Sequence, residues 1–201
     1  MAGNPQPQSG NVRHSHGLEQ FFASLPGPGQ RVLDLGEFTQ ANVTYITSLG
    51  HRLYTEDFLH TLDLIFGPGE SLEAQADPQK AALFLDHVLQ FPPGHFDAVL
   101  VWDTLEFLSK PLLDVVMQRL HLVLRSQSPL LACFHPESRE ATIPAYSFRI
   151  AGPSSLHMFS KGSRRAGHSF NNRAIEKLFT GFHSVKFFLT RDHLREVIVR
   201  R

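Results

Sequence analysis

The chain has 201 residues, of which 42% are hydrophobic and 19% charged, which is typical of one soluble globular domain with a sizeable core. No apolar run approaches membrane-spanning length, and the N-terminus lacks the basic-then-apolar pattern of a signal peptide. The single cysteine, Cys133, lies in the apolar run PLLACF, so we expect a buried and inert thiol. These features favour a cytoplasmic protein with no membrane partner.

The formal net charge is zero, but it is unevenly distributed. Up to Phe134 there are 7 basic and 14 acidic residues, and from His135 onward there are 12 basic and 5 acidic residues, giving −7 and +7. Either the two parts attract each other within one fold, or the basic part binds an anionic substrate. The best candidate for such a surface is the segment Ser160–Ser169, interpreted as a loop with three cations. No nucleic-acid motif is present, so a nucleic-acid partner is not expected.

Residues 1–16 are rich in Pro, Gly, Gln and Ser, which predicts a flexible N-terminal tail. His14 and His16 lie in this tail, and an isolated pair at that spacing is usually solvated, so no metal site is expected. A single domain is predicted over residues 17–201, beginning with a short helix in Gly17–Pro26.

Two strands and a helix are predicted next. Arg31–Gly36 is short, apolar and closed by glycine, as a buried strand would be. Thr39 can cap the following helix, and Gly50 suits its C-terminal end. His51–Asp57 alternates in polarity and is predicted as a second strand that ends in acidic residues.

No clean strand is found between Gly67 and Asp77, so the sheet is expected to have six or seven strands. Asp77 is interpreted as the cap of the helix that follows it. Phe96–Leu108 opens as a near-continuous apolar run, typical of a strand buried on both faces of a parallel sheet. Ser109 is predicted to cap the next helix, and SPLLACFH is another buried strand.

The remaining segments complete an α/β pattern. AYSFRI and SLHMFS are predicted to form a small hairpin over the sheet edge, followed by a helix capped by Asn171 or Asn172. Two antiparallel strands joined at RDH end the chain. The order predicts a three-layer α/β sandwich, Rossmann-like, whose mostly parallel sheet ends in an antiparallel C-terminal hairpin. Its ligand would lie outside the C-terminal ends of the strands.

Three motifs resemble those of the class I S-adenosylmethionine-dependent methyltransferases. RVLDLG is similar to their first motif, GHRLYTED to their second strand, and FDAVLVWDTLEFL to their fourth strand and its exit. The resemblance covers roughly residues 30–201. It departs at the glycine-rich loop, where Gly36 is kept but Phe38 and Gln40 occupy the positions of the next two glycines.

The resemblance implies S-adenosylmethionine as cofactor and a set of residues around it. Asp57 would accept hydrogen bonds from the ribose hydroxyls, and Asp34 would hold the amides of the loop. Trp102 would flank the site or pack in the core, and Asp103 would face the methyl group, where it could orient the acceptor or act as a base if its pKa were raised. The implied cofactor-binding residues are Asp34, Gly36, Glu37, Phe38, Asp57, Trp102 and Asp103.

Phe38 is expected to turn onto the core, which leaves the cleft open, or else into the cleft, which closes it. No catalytic residue is named, because methyl transfer requires mainly alignment, and His135 is interpreted as structural. The resemblance implies a methyltransferase acting on a small-molecule acceptor; the alternative is a non-catalytic, methyltransferase-like binding or regulatory protein. A nicotinamide-dependent enzyme is disfavoured, because the glycine pattern suits a pyrophosphate even less well.

Overall fold

The computed structural model describes residues 11–68, 72–137, 140–188 and 194–201. The strands are β1 (Asn11–His14), β2 (Arg31–Asp34), β3 (Arg52–Thr55), β4 (Ala98–Trp102), β5 (Pro129–Phe134), β6 (Thr142–Gly152), β7 (Ser155–Arg165), β8 (Ser184–Phe188) and β9 (Arg195–Arg200). The helices are α1 (His16–Ala23), α2 (Gln40–Ser48), α3 (Phe58–Phe66), α4 (Pro78–Leu85), α5 (Lys110–Val123) and α6 (Asn172–Leu178). No helix in these ranges is long and apolar enough to cross a membrane.

The main sheet has six strands in the order β3-β2-β4-β5-β9-β8. The strands β3, β2, β4 and β5 run parallel, and β9 and β8 are antiparallel, which confirms the predicted sheet. The predicted junction at RDH lies outside the described residues. Because the chain goes from β2 out to β3 and then returns to the other side of β2 as β4, the sheet has a switch point between β2 and β4. Open α/β sheets bind ligands at such a point.

Apolar side chains cover both faces of this sheet, so the predicted three layers are present. One face carries Leu33, Val99 and Leu130 under α3, α4, α5 and α6. The other face carries Val32 and Leu100 under α1, the end of α2 and the hairpin β6–β7. Cys133 is buried on this second face, as expected, and burial raises the pKa of its thiol well above the usual value.

The segment between α3 and β4 contains no strand within its described residues and folds as helical turns instead. Asp77 caps α4 by accepting a hydrogen bond from the Gln79 amide at 2.8 Å, as predicted. Ser109 occupies the N-cap position of α5, as predicted, but its side chain makes no capping hydrogen bond. The predicted capping bond is therefore wrong. The buried amide of Gln75 holds this turn instead, because its Oε1 accepts from the Ser109 amide at 2.6 Å.

The predicted hairpin is present, but each strand has 11 residues and it belongs to a second sheet, ordered β1-β7-β6. Strand β1 lies in the described part of the segment predicted as a tail, and pairs Asn11–His14 with β7. The hairpin packs on α2 and β4 rather than over a sheet edge. The buried Asn42 of α2 fixes it by donating to the Phe148 carbonyl and accepting from the Ile150 amide. The hairpin therefore stands over the switch point.

Candidate functional site

A cavity of about 250 Å³ lies at the carboxyl ends of β2, β3 and β4, beneath β6 and β7. Its walls mix apolar side chains with charged groups from four separate parts of the chain. The lining residues are Leu35, Gly36, Glu37, Asp57, Leu59, His60, Asp63, Trp102, Asp103, Thr104, Ala145, Tyr146, Phe148, Lys161 and Arg164. Five of the seven residues predicted to bind a cofactor line this cavity: Gly36, Glu37, Asp57, Trp102 and Asp103.

Asp34 lies behind the cavity wall, buried at the end of β2. Its carboxylate accepts hydrogen bonds from the Gly36 amide at 2.9 Å, the Asn42 side chain at 2.8 Å and the Trp102 indole at 2.6 Å. Burial raises the pKa of Asp34, while these three bonds lower it in part. The residue therefore joins the turn, the following helix and β4, as predicted for a supporting role.

The turn after β2 leaves Phe38 in solvent with 62% of its surface exposed. Both predictions for Phe38 are therefore wrong, because it neither packs on the core nor enters the cleft. The loop is fixed at both ends, by the Gly36 amide on Asp34 and by Thr39, whose hydroxyl caps α2 through the Asn42 amide at 3.2 Å. Between these ends Glu37 takes the cavity side, and Phe38 consequently faces outward.

Asp57 lines the cavity directly after β3, as predicted. Its Oδ1 also accepts the His60 amide at 3.1 Å and so caps α3, and no residue that the structure describes donates a hydrogen bond to the other carboxylate oxygen. Its neighbour Glu56 points away and accepts the Leu89 amide at 3.0 Å. Asp57 is thus the carboxylate of this strand end that a ligand could reach.

Trp102 both flanks the cavity and packs in the core, so the two predicted roles coincide. It is buried, its φ of 57° is in the left-handed region, and its ring stacks on Phe148 with centroids 4.8 Å apart. A side chain other than glycine is uncommon in that conformation. The bond to Asp34 and the stack on Phe148 hold the indole against the turn at Gly36.

Asp103 follows at the exit of β4 and is buried in the cavity wall. Its Oδ2 accepts the Tyr146 amide from β6 at 3.2 Å. Burial raises the pKa of Asp103 to about 7, with nearby Glu106 raising it and nearby His135 lowering it. Asp103 can therefore exchange a proton near neutral pH, as a general base must.

The segment Ser160–Ser169, predicted as a basic loop, is largely strand β7, and two of its three cations, Lys161 and Arg164, form ion pairs at the cavity. Lys161 lies 3.1 Å from Glu37, and Arg164 donates to both carboxylate oxygens of Asp63 on α3. Charges from the basic and acidic parts of the chain thus meet here. This pairing supports the interpretation of two attracting halves at this place, and it ties the hairpin to the main domain.

The hairpin side chains Tyr146, Phe148, Lys161 and Arg164 also line the cavity, and the sequence did not predict them there. Lys161 and Arg164 were predicted only as part of a basic surface. No role was predicted for Glu106, although the motif that contains it was recognised. Glu106 accepts from the Nδ1 atom of His135 at 2.6 Å and from the His135 amide at 2.9 Å. The available signal was a glutamate between the apolar residues Leu105 and Phe107, where a buried carboxylate would need a partner.

Away from the cleft, His14 and His16 are exposed, as predicted for a solvated pair. Their rings are hydrogen-bonded, with Nε2 of His14 and Nδ1 of His16 3.2 Å apart, and Glu19 of α1 reaches within 3.6 Å of His16. The potential ligand atoms of the three residues lie within 4.8 Å of one another. The sequence pair is therefore part of a surface cluster of three, and the absence of a bound metal there stays a prediction.

Solved methyltransferases have a similar fold. A methyltransferase from Archaeoglobus fulgidus that depends on S-adenosylmethionine is 12% identical, with a TM-score of 0.53 over 92% of this chain and 91% of that one. The 1,6-didemethyltoxoflavin-N1-methyltransferase of Burkholderia thailandensis, solved with its substrate and S-adenosylhomocysteine, is 14% identical, with a TM-score of 0.52 over 92% and 76%. No protein-family model matches the chain, and no curated protein matches it.

At these identities the similarity concerns the fold. The strand order, the switch point and the neighbours agree that this chain has a class I methyltransferase-like fold. The resemblance inferred from the three motifs is thereby confirmed at the level of architecture.

Proposed function

We propose that the chain is a methyltransferase that binds S-adenosylmethionine in the cavity at the ends of β2, β3 and β4. The observation that carries this proposal is the charge of the cavity. Its walls hold the carboxylates of Glu37, Asp57 and Asp63, and the carboxyl of Asp103 with its pKa of about 7, against the two cations Lys161 and Arg164. The sulfonium centre of the cofactor is a cation, so an excess of carboxylates favours its binding.

The same charge excess disfavours the nicotinamide alternative. A dinucleotide would place a pyrophosphate at the turn after β2, where Glu37 occupies the cavity wall. Sites for pyrophosphate use glycines and free backbone amides at this turn, whereas here the Gly36 amide is already bound to Asp34. A cofactor with a sulfonium cation and ribose hydroxyls therefore fits these residues better than a dinucleotide does.

The residues present fit the parts of S-adenosylmethionine. Asp57 has a carboxylate oxygen available to the ribose hydroxyls, and Leu59 offers an apolar surface beside it. Phe38 and Gln40 do not enter the space, although they replace glycines of the family pattern. When bound, the cofactor supplies an activated methyl group, and the protein aligns the acceptor with it. Asp103 and Thr104 line the cavity at the exit of β4, where they can orient that acceptor.

The cavity volume of about 250 Å³ is slightly below the usual range of ligand pockets, which starts at about 300 Å³. The ion pairs Lys161–Glu37 and Arg164–Asp63 keep the hairpin close to the main domain. The exposed pair Lys161–Glu37 contributes at most about 1 kcal/mol. Opening this pair to admit a cofactor therefore costs little compared with the binding energy of a micromolar ligand, about 8 kcal/mol.

Calorimetric titration with S-adenosylmethionine and S-adenosylhomocysteine tests the proposal. The wild type is expected to bind both, and the variant Asp57→Ala should lose about 1.5–3 kcal/mol of binding free energy, the scale of a charged hydrogen bond. Asp57 also caps a helix, so the matched control is Asp77→Ala, which removes the cap of α4 outside the cavity. The control should bind as tightly as the wild type.

The alternative function is a non-catalytic, methyltransferase-like binding protein. This alternative requires a cleft that does not admit the cofactor. Phe38 would block the cleft if its side chain pointed inward, but it is exposed to solvent. An absence of binding of either compound, by a wild type folded according to circular dichroism, would reject the proposal and leave this alternative. Equal losses in Asp57→Ala and Asp77→Ala would show that helix capping, and not a ribose contact, explains the effect.

A further inference from the structure

Three side chains of metal-binding type meet on the surface where β1 leads into α1. His14 is the last residue of β1, His16 is the first residue of α1, and Glu19 lies one helical turn further on. His14 Nε2 is 3.2 Å from His16 Nδ1, and Glu19 Oε2 is 3.6 Å from the same His16 atom. The prediction of no metal concerned an isolated pair of histidines, and the fold adds a carboxylate to that pair.

The backbone explains why these side chains share one side of the chain. Ser15 has extended dihedral angles, φ −121° and ψ 102°, so the residues before and after it point in the same direction. Both histidines are exposed. The residues that alternate with them are buried: Arg13, Ser15 and Gly17. Glu19 follows His16 by three residues within α1, which places it on the same face of the helix.

The segment that carries the two histidines is fixed on both sides. The Arg13 guanidinium donates to Glu196 at 2.8 Å, and the Gly17 amide donates to the same carboxylate at 2.7 Å. Between them, the Ser15 amide donates to the Ser154 carbonyl at 2.8 Å. The main chain is therefore already ordered before any ligand binds. Such pre-organisation lowers the entropy that binding costs.

The distance between the two imidazole nitrogens suits a tetrahedral zinc ion. With Zn–N bonds of about 2.0–2.1 Å, two ligand nitrogens lie about 3.3–3.4 Å apart, close to the 3.2 Å between His14 and His16. In the hydrogen bond between the rings, one of the two nitrogens carries the proton. Zinc can take its place once that ring moves the proton to its other nitrogen. The Glu19 side chain is 55% exposed and can turn to close the remaining distance.

We infer that His14, His16 and Glu19 bind one Zn²⁺ ion, with water as the fourth ligand. Two imidazoles, one carboxylate and an open position form a donor set that zinc accepts, whereas Mg²⁺ and Ca²⁺ prefer oxygen ligands. The ion joins β1 of the second sheet to α1, which packs on the main sheet. Zinc therefore stabilises the contact between the two sheets. This inference is independent of the proposed methyltransferase function.

Calorimetric titration of the full chain, free of any affinity tag, with ZnCl₂ tests the site. The wild type should bind one ion. His14→Ala, His16→Ala and Glu19→Gln should each weaken binding by about tenfold or more, since even the loss of an outer-shell partner costs about 10–100-fold. His183→Ala and Glu176→Gln change exposed residues outside the cluster and are the matched controls, which should bind as the wild type does.

Urea denaturation with and without saturating ZnCl₂ distinguishes a site that the fold builds from zinc bound to a flexible segment. An ion that binds the folded chain preferentially stabilises it, so the urea midpoint of the wild type should rise with zinc. The rise should be smaller at the same zinc concentration in Glu19→Gln. Circular dichroism checks the fold of each variant, and His14→Gln replaces His14→Ala if the latter is unfolded.

Three results would overturn the inference. A folded wild type that gives neither heat of binding nor a higher urea midpoint with ZnCl₂ has no such site. Unchanged affinity in a folded Glu19→Gln would remove the third ligand, and an equal loss in His183→Ala would place the ion elsewhere. Binding that leaves the wild-type midpoint unchanged would mean that the unfolded chain binds zinc equally well, which contradicts a site built by the fold.

Discussion

The substitution Asp103→Asn should make the protein less sensitive to pH. Asp103 is 1% exposed, and burial raises the pKa of its carboxyl to about 7. In the unfolded chain the same carboxyl ionises near pH 4. The folded protein therefore binds a proton that the unfolded chain has already released, and this contribution to stability is complete below about pH 4 and lost as the pH rises through about 7.

The size of the effect follows from the shift. About 3 units at roughly 1.4 kcal/mol per unit give about 4 kcal/mol in total, of which about 3 kcal/mol is lost between pH 5 and pH 8. An asparagine has nearly the same shape, and its oxygen can still accept the Tyr146 amide that Asp103 Oδ2 accepts at 3.2 Å. The nearby residues Glu106 and His135 are the same in both proteins.

Urea denaturation at several pH values measures this directly. The unfolding free energy of the wild type should fall relative to Asp103→Asn between pH 5 and pH 8, so that the variant is the more stable protein at pH 8. Asp86→Asn, which changes an exposed aspartate, is the control and should follow the wild type. Parallel curves for the wild type and Asp103→Asn would refute the reasoning, because they would mean that Asp103 has an ordinary pKa in the folded protein.

Three further substitutions test the packing around the site by urea denaturation. Gly36→Ala should lower the unfolding free energy by about 1–3 kcal/mol, because a Cβ there would lie 2.9 Å from Trp102 Nε1; an unchanged value would show that the indole moves freely. Phe38→Ser should change stability by under about 0.5 kcal/mol, since the ring is in solvent, and a larger loss would place it in contact with the core. Glu196→Ala should cost about 3–5 kcal/mol, because it leaves the buried Arg13 without its carboxylate, and a near-neutral result would contradict the buried pair.

The sheet could be predicted from the sequence because the buried strands consist of apolar residues. The strands β4 and β5 are uninterrupted apolar runs, since both faces of the parallel sheet are covered. Alternation of strand and helix then leaves few possible topologies. Asp34, Asp57 and Asp103 were predicted together because the carboxyl ends of parallel strands meet at one edge. Local pattern was sufficient for these residues.

The hairpin residues of the site could not be predicted in the same way. The position of β6 and β7 over the cavity depends on the Trp102–Phe148 stack and on the two bonds of Asn42 to β6, which join distant parts of the chain. No local pattern reveals such contacts. Strand β1, in the segment predicted as a tail, could not be predicted for the same reason. It is held by pairing with β7 and by the salt bridge between Arg13 and Glu196, which are distant in the sequence.

The loss of two loop glycines was the main argument from sequence against a cofactor site, and the geometry of the turn weakens it. A glycine is required only where a Cβ would collide or where the backbone must adopt a positive φ. Gly36 meets the first condition, since its Cβ would lie 2.9 Å from the Trp102 indole and 3.0 Å from Asp34. Phe38 and Gln40 meet neither, because their side chains leave the loop on the solvent side. The position that needs glycine has kept it, so the missing glycines are not in themselves an argument against a ligand in this cleft.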